Sequence, residues 1–319
     1  MRLFRGADFS FIESRRRAYV LSIAVIVVGI ATMIFNVVST GSWLNYGVDF
    51  TGGSLVQVRF AGDVTAGDLR DALGGPEAPP ITRFGEDTEF VIRAPVEEGV
   101  EVTQVAAEIE EQLRAGIPDV PFEIVRTELV GAKVGGELQQ KAALAVFFSV
   151  LATLIYLAFR FEWRFGLAAS VASVHDVLVP LGYLALFRVE ISLSTIAALL
   201  TIIGYSLNDT IVVFDRIREN LNRKGGRKRD RIELVNASIN ETLPRTILTS
   251  GTTLTVLVAL LVLGGPVIRD FTTVLTLGVV VGTYSSIFVA SPVLVEIQQR
   301  WGQGKEKPAK KERPQPATV

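Results

Sequence analysis

The chain has 319 residues, 49% of them hydrophobic, with a formal net charge of -1, one histidine and no cysteine. Those counts exclude a disulfide framework, a thiolate metal site and a multi-histidine metal centre. A mean hydropathy of +0.39 alongside 20% charged residues indicates two materials in one chain, one for a bilayer and one for water.

Residues 1 to 18 carry Arg2, Arg5, Arg15, Arg16 and Arg17, and an apolar run from Tyr19 to Val38 follows. That run has about the twenty residues a bilayer needs. It exceeds the apolar core of a cleaved signal peptide, so a retained anchor is expected, with the basic N-terminus in the cytoplasm.

Residues 39 to 140 have a different composition. Between Asp49 and Lys133 there are seventeen Asp or Glu against seven Arg or Lys, which suits an external domain. Ser54 to Phe60 reads as a strand and Thr65 to Leu73 as a short helix. Ile81 to Phe84 and Glu89 to Ala94 form a hairpin about Gly85-Glu86-Asp87. A helix over Val100 to Arg114 and a strand over Phe122 to Leu129 complete a βαββαβ order, that of a small ferredoxin-like α+β domain.

Beyond Gly135-Gly136 the apolar pattern returns, with spans expected over 142–159, 165–187, 191–214, 246–263 and 271–297. The fold class is therefore a polytopic α-helical membrane protein of six transmembrane helices, with the external domain between helices 1 and 2. Arg160 and Arg164, the basic loop 215–241 and the Lys/Arg-containing tail lie on the same side as the N-terminus, so both termini are expected in the cytoplasm. The tail, residues 300–319, reads as disordered.

Charges inside the spans are the candidates for function, because an ionisable group at bilayer depth is costly and normally has a partner. Asp209 lies in the fourth span and Arg245 at the entry to the fifth. An Asp and an Arg on adjacent helices at one level can form an ion pair that responds to a proton. His175 and Asp176 lie near the middle of the third span, and Pro180 removes the hydrogen bond to the Asp176 carbonyl, so a local opening is expected there. Each has a plainer reading: polar packing for His175 and Asp176, a topology charge for Arg245, a helix-end charge for Asp209. Thr249, Ser250, Gly251, Thr252, Thr253 and Thr255 make the fifth span rich in hydroxyls. Gly278, Gly282 and Ser286 form a small-residue stripe for close helix approach. The basic cluster between Arg216 and Arg231 reads as a topology signal and a contact for anionic lipids. No nucleic-acid partner is expected.

GVDFTGG (Gly47 to Gly53), FRFEWR (Phe159 to Arg164), the His175-Asp176 pair, GYSLNDTIVVFDRIREN (Gly204 to Asn220), TLPRTILTSGTT (Thr242 to Thr253) and GGPVIRDF (Gly264 to Phe271) together resemble the SecF family. That family comprises the smaller subunits of the SecDF complex of bacterial protein export, related to the RND transporter superfamily. The resemblance covers nearly the whole chain. It implies a SecD partner, separate or fused, work with the SecYEG channel on unfolded preproteins, contacts extending to YajC and YidC, and residence in the bacterial inner membrane. It further implies coupling to the proton motive force through Asp209 and Arg245, no covalent catalytic site, and no cofactor beyond the proton gradient. Asp49, Gly52 and Gly53 would then shape the join between first span and external domain. Three rival classes stay open at this point. They are an RND-like exporter of lipids or small molecules, an intramembrane aspartyl protease using Asp176 and Asp209, and a structural scaffold.

Overall fold

The apolar run after Arg15 becomes α1 (Arg15–Thr40), entered through a 3-10 turn at Ile12–Ser14 and closed by Gly41 at φ 76°. Glycine ends a helix this way because the left-handed region carries no Cβ strain for it. The computed structural model describes residues 8–85, 88–94, 102–226, 229–265 and 268–301. Arg2 and Arg5, the Glu86-Asp87 hairpin tip, the first residues of the expected 100–114 helix, and the tail from Gly302 lie outside the described residues.

After α1 come β1 (Asn45–Tyr46) and a single helical turn, α2 (Val48–Thr51). The external domain follows as β2 (Gly53–Phe60), α3 (Ala66–Ala72), β3 (Ile81–Arg83), β4 (Glu89–Ala94), α4 (Val102–Gly116) and β5 (Phe122–Val130). Its four strands lie in the order β3-β4-β2-β5, all antiparallel. Alternation along β2 buries Val56, Val58 and Phe60, which meet Leu69 of α3, Ile92 of β4 and Leu113 of α4 in one core. The domain is thus a two-layer α+β unit, with both helices on the apolar face of the sheet.

Among the described residues, six helices are long and apolar enough to cross a membrane. They are α1, α5 (Ala132–Arg160), α6 (Trp163–Leu186), α7 (Leu193–Asn222), α8 (Arg231–Leu263) and α9 (Arg269–Ser285); α9 continues through a π-helical turn, Ser286–Ala290, into α10 (Ser291–Arg300). A two-residue strand between α6 and α7, β6 (Glu190–Ile191), pairs in parallel with β1 and ties the start of the external domain to the membrane helices.

Helix ends depart from the apolar runs for local reasons. α5 begins at Ala132, because the polar stretch before Ala142 is compatible with a helix although not with lipid. α7 runs past Phe214 to Asn222, where Arg216–Glu219 and Glu219–Arg223 pairs at helical spacing support it. α8 starts at Arg231, capped by the Asp230 carboxylate on the Ile232 and Glu233 amides at 3.1 Å. The connection between α7 and α8 is therefore 223–230, and Pro244 lies inside α8. α6 likewise stays helical through Pro180.

Candidate functional site

Small residues let four helices converge. Gly278 and Gly282 of α9 lie so close to Ile202 and Ser206 of α7 that a Cβ on Gly278 would overlap Ile202, and one on Gly282 would come within 2.8 Å of the Ser206 Cβ. This is the small-residue stripe of the sixth span, and it explains why α7 can hold polar side chains against α9. Gly29 of α1 and Gly182 of α6 meet in the same manner, 2.8 Å separating an added Cβ at Gly29 from the Gly182 Cα.

Two carboxylates lie in the resulting interior, Asp176 at 1% and Asp209 at 3% exposure. Asp176 Oδ2 accepts from Ser206 of α7 and, at 2.7 Å, from Ser285 at the end of α9. Its Oδ1 lies 2.9 Å from His175 Nδ1. The imidazole is buried too; its Nε2 is 3.2 Å from Ser22 Oγ of α1, and the ring stacks on Tyr284 with centroids 6.1 Å apart. One turn along α7 from Ser206, Asp209 Oδ2 accepts from Ser250 of α8 at 3.3 Å, and Ser250 Oγ is 2.7 Å from Thr283 Oγ1 of α9. Among the described residues Asp176 thus engages three donors and Asp209 one, so the two acids differ in how much room they leave for a further partner.

Arg245 does not complete an ion pair with Asp209 here. Its side chain is exposed, and it forms no ion pair within 4.0 Å among the described residues, although it acts on Asp209 electrostatically. Helix geometry accounts for this: Thr246 and Ser250 lie on the buried stripe of α8, and Arg245 is turned well away from it. Asp176 and Asp209 do not bond to each other either, each being enclosed by its own hydroxyls. That arrangement lacks the shared proton of an aspartyl protease dyad. The other hydroxyls of the fifth span mostly satisfy carbonyls of their own helix, as Thr249, Thr252 and Thr255 do.

At the outer end, Asp49 follows shortly after the end of α1 and lies 144 residues from Leu193, whose amide it accepts at 2.8 Å at the N-terminus of α7. A carboxylate there is favoured by the helix dipole and by the unpaired first-turn amides. Gly52 and Gly53 take φ 72° and 131°, and a Cβ on Gly53 would come 2.7 Å from the Ala94 carbonyl of β4. Composition did not reveal Ser22, Ser206, Ser285 or Tyr284, nor the ion pair between Arg93 of β4 and Glu190 of β6. A lone Ser or Tyr in an apolar run carries no sequence signal until a neighbouring helix supplies its partner.

These features define a class: a polytopic membrane protein with buried carboxylates inside a helix bundle and an external α+β domain joined to it by glycine turns. The family model described as protein export membrane protein SecD/SecF, C-terminal, matches residues 110–300, and the SecD/SecF GG motif matches residues 37–64. The chain is 44% identical over 309 residues to the protein translocase subunit SecF of Gemmatimonas aurantiaca, covering 94% of this chain and 90% of that one. It is 45% identical over 293 residues to the SecF of Desulfurispirillum indicum, covering 90% and 91%. A crystal structure of SecDF from Thermus thermophilus, titled a translocon-associated membrane protein, superposes with a TM-score of 0.80 at 39% identity, over 94% of this chain. The present chain spans 40% of the length of that SecDF chain. The chain belongs to the SecF family of protein-export membrane proteins.

Proposed function

We propose that this chain is the SecF-type accessory subunit of the Sec protein translocase, acting with a SecD-type partner and coupling the proton gradient to preprotein movement outside the membrane. It has no covalent catalytic site in this reading, and the translocation channel is of SecYEG type, with YajC and YidC as further neighbours. The protein resides in the bacterial inner membrane with both termini in the cytoplasm and its basic α7–α8 connection near anionic lipids. The single observation that carries the reading is Asp209, a buried carboxylate at a junction of three helices with one hydroxyl donor, in a chain of this family. A proton taken up at Asp209 alters its attraction to Arg245 across the face of α8, which the partner subunit would cover. One charge crossing 100 mV supplies about 2.3 kcal/mol, enough to bias a domain movement. Asp176 and His175 form a second protonatable pair in the same bundle, and the Asp49, Gly52 and Gly53 join transmits the movement.

The test is gradient-stimulated preprotein export in vesicles carrying Asp209→Asn or Arg245→Met, with assembly measured in parallel by co-purification of the partner. Intact assembly with loss of the stimulation is expected. Unchanged stimulation would make the pair structural and remove the coupling role.

A further inference from the structure

Serine inside a helix ordinarily gives its hydroxyl hydrogen to the carbonyl four residues back. Ser170 and Ser173 of α6 do so, to Gly166 at 2.8 Å and Ala169 at 3.0 Å. Ser22 does not. The carbonyl it would use, that of Ala18, is taken by the Tyr284 hydroxyl at 3.0 Å. Ser22 Oγ is instead 3.2 Å from His175 Nε2 and 3.3 Å from the Tyr284 oxygen. Because Tyr284 spends its only hydrogen on Ala18, its oxygen can act toward Ser22 as an acceptor alone.

The hydrogen count then allows two arrangements, both fully bonded. With a neutral imidazole, Nδ1–H donates to Asp176, and Ser22 donates to Nε2. With an imidazolium, Nδ1–H still donates to Asp176, Nε2–H donates to Ser22 Oγ, and the Ser22 hydrogen turns to the Tyr284 oxygen. The added proton resides on Nε2, no covalent bond within a side chain breaks, and no buried polar group loses its partner. An unpaired group at this depth would cost about 1–3 kcal/mol. The titratable groups around the ring are Asp176 on its own helix, Tyr284 on α9 and, one turn beyond Ser206 on α7, Asp209. Farther along α1 and α10, Arg15 and Glu296 pair at 3.7 Å with Tyr19 beside them.

We propose that Ser22 is a hydroxyl switch, turning between His175 and Tyr284 with the charge of the imidazole and carrying the protonation state of the α6–α9 interior to α1. The consequence lies in connectivity. α1 is the helix that leads directly through β1 and α2 into the external domain, and its Ser22 is bonded to the imidazole that meets the Asp176 carboxylate. Ser22 and Tyr284 are thus positioning residues for a proton site. This deepens the coupling role proposed above for His175 and Asp176.

The chain has one histidine, so a ring-labelled histidine gives one signal when this full chain is labelled and assembled in lipid with an unlabelled partner. Tyrosine is labelled at the phenolic carbon, and Tyr284 is assigned by its loss in Tyr284→Phe. Acidification is expected to move the Tyr284 and His175 resonances together with one midpoint. In Ser22→Ala the Tyr284 resonance is expected to stop following the histidine. In Tyr284→Phe, Ala18 becomes free to capture Ser22, and at alkaline pH the Nε2 resonance is expected to shift toward that of an imidazole nitrogen with no donor. A Tyr284 signal blind to the histidine in the native chain, or one that still follows it in Ser22→Ala, overturns the switch. Ser22→Thr keeps the hydroxyl and is expected to restore the coupling, and its failure in a well-assembled complex would count against the switch equally. These readings do not depend on export, so loss of the switch and loss of the Asp209 coupling role are separately visible.

Discussion

Asp176 holds three hydrogen-bond partners in the interior, and its value is set by what its removal strands. Asp176→Leu would leave Ser206 and the His175 Nδ1–H without their acceptor and Ser285 with the Gly282 carbonyl alone. Membrane hydrogen bonds average well under 1 kcal/mol each, but an orphaned buried group costs more, so a loss of about 2 kcal/mol is expected. Asp176→Asn keeps a carbonyl oxygen and should lose less; thermal unfolding in detergent checks the ranking. At the surface, Asp68 accepts the Thr65 amide at 2.8 Å and the Thr65 hydroxyl at 2.7 Å, and the Thr65 oxygen takes the Asp68 amide in return. The amide first, then the hydroxyl, holds the Asp68 carboxyl below the usual carboxylate range. A carboxyl lowered on folding stabilises above its unfolded value, and that contribution fades as pH falls through the folded one. Hydrogen exchange at α3 amides in native chain and Asp68→Asn should therefore differ near neutrality and converge in acid.

At the scale of elements, close crossings decide which helices can share a polar interior. Gly29 and Gly182 bring α1 onto α6, and that crossing holds Ser22 within reach of His175. Gly29→Leu must either part the two helices or drive the side chain off its rotamers, at about 1–3 kcal/mol. A lower unfolding temperature is expected, together with weakened coupling of the Tyr284 and His175 signals; retention of both at native levels would show that the crossing is not needed. The external join is built in the same way. Arg93 of β4 reaches Glu190 of β6, while Arg93 Nη1 donates to Thr82 at 2.9 Å, so one guanidinium ties the sheet of the domain to the α6–α7 link. Glu190→Gln should widen the distance distribution between spin labels on the external domain and on α7, without altering the far-ultraviolet signature of either part.

Over the whole molecule, the external domain rests on two stalks: α1, through the 41–47 segment, and α5, which follows directly on β5. A displacement of α1 against α6 would tilt one stalk relative to the other, so that a small change in the bundle could move the domain. The exposed faces of α1, α5 and α8 are apolar, with Phe147, Phe159 and Val262 among their outward residues, as required of surfaces that meet lipid or a membrane partner. Absence of cysteine in the chain makes sidedness easy to read from single-cysteine variants. Asp63→Cys should react with an impermeant thiol reagent from the periplasmic side and Gly225→Cys from the cytoplasmic side; the reverse pattern would invert the proposed topology.

Membrane spans, the acidic external insert and the candidacy of Asp209, His175 and Asp176 were legible in the chain, because a bilayer punishes stray charge and demands a fixed apolar length. The strand and helix order of the external domain was legible through its periodicity, since Val56, Val58 and Phe60 alternate while Ile109 and Leu113 recur at helical spacing. Polar helix extensions were not: the first turns of α5 and α8 are held by hydrogen bonds and caps that hydropathy does not see. Nor was the side from which Arg245 is presented, because a proline one residue earlier does not say where α8 begins or how it is rotated. The sequence by itself determined that there would be a bundle with charges inside it and a water-exposed domain beside it. Only the tertiary structure decided that Asp176 bonds to Ser206 and Ser285, Asp209 to Ser250, and His175 to Ser22. A buried hydrogen bond between helices is a property of their crossing points, and those are set by which glycines and serines meet across 30 to 153 residues of chain.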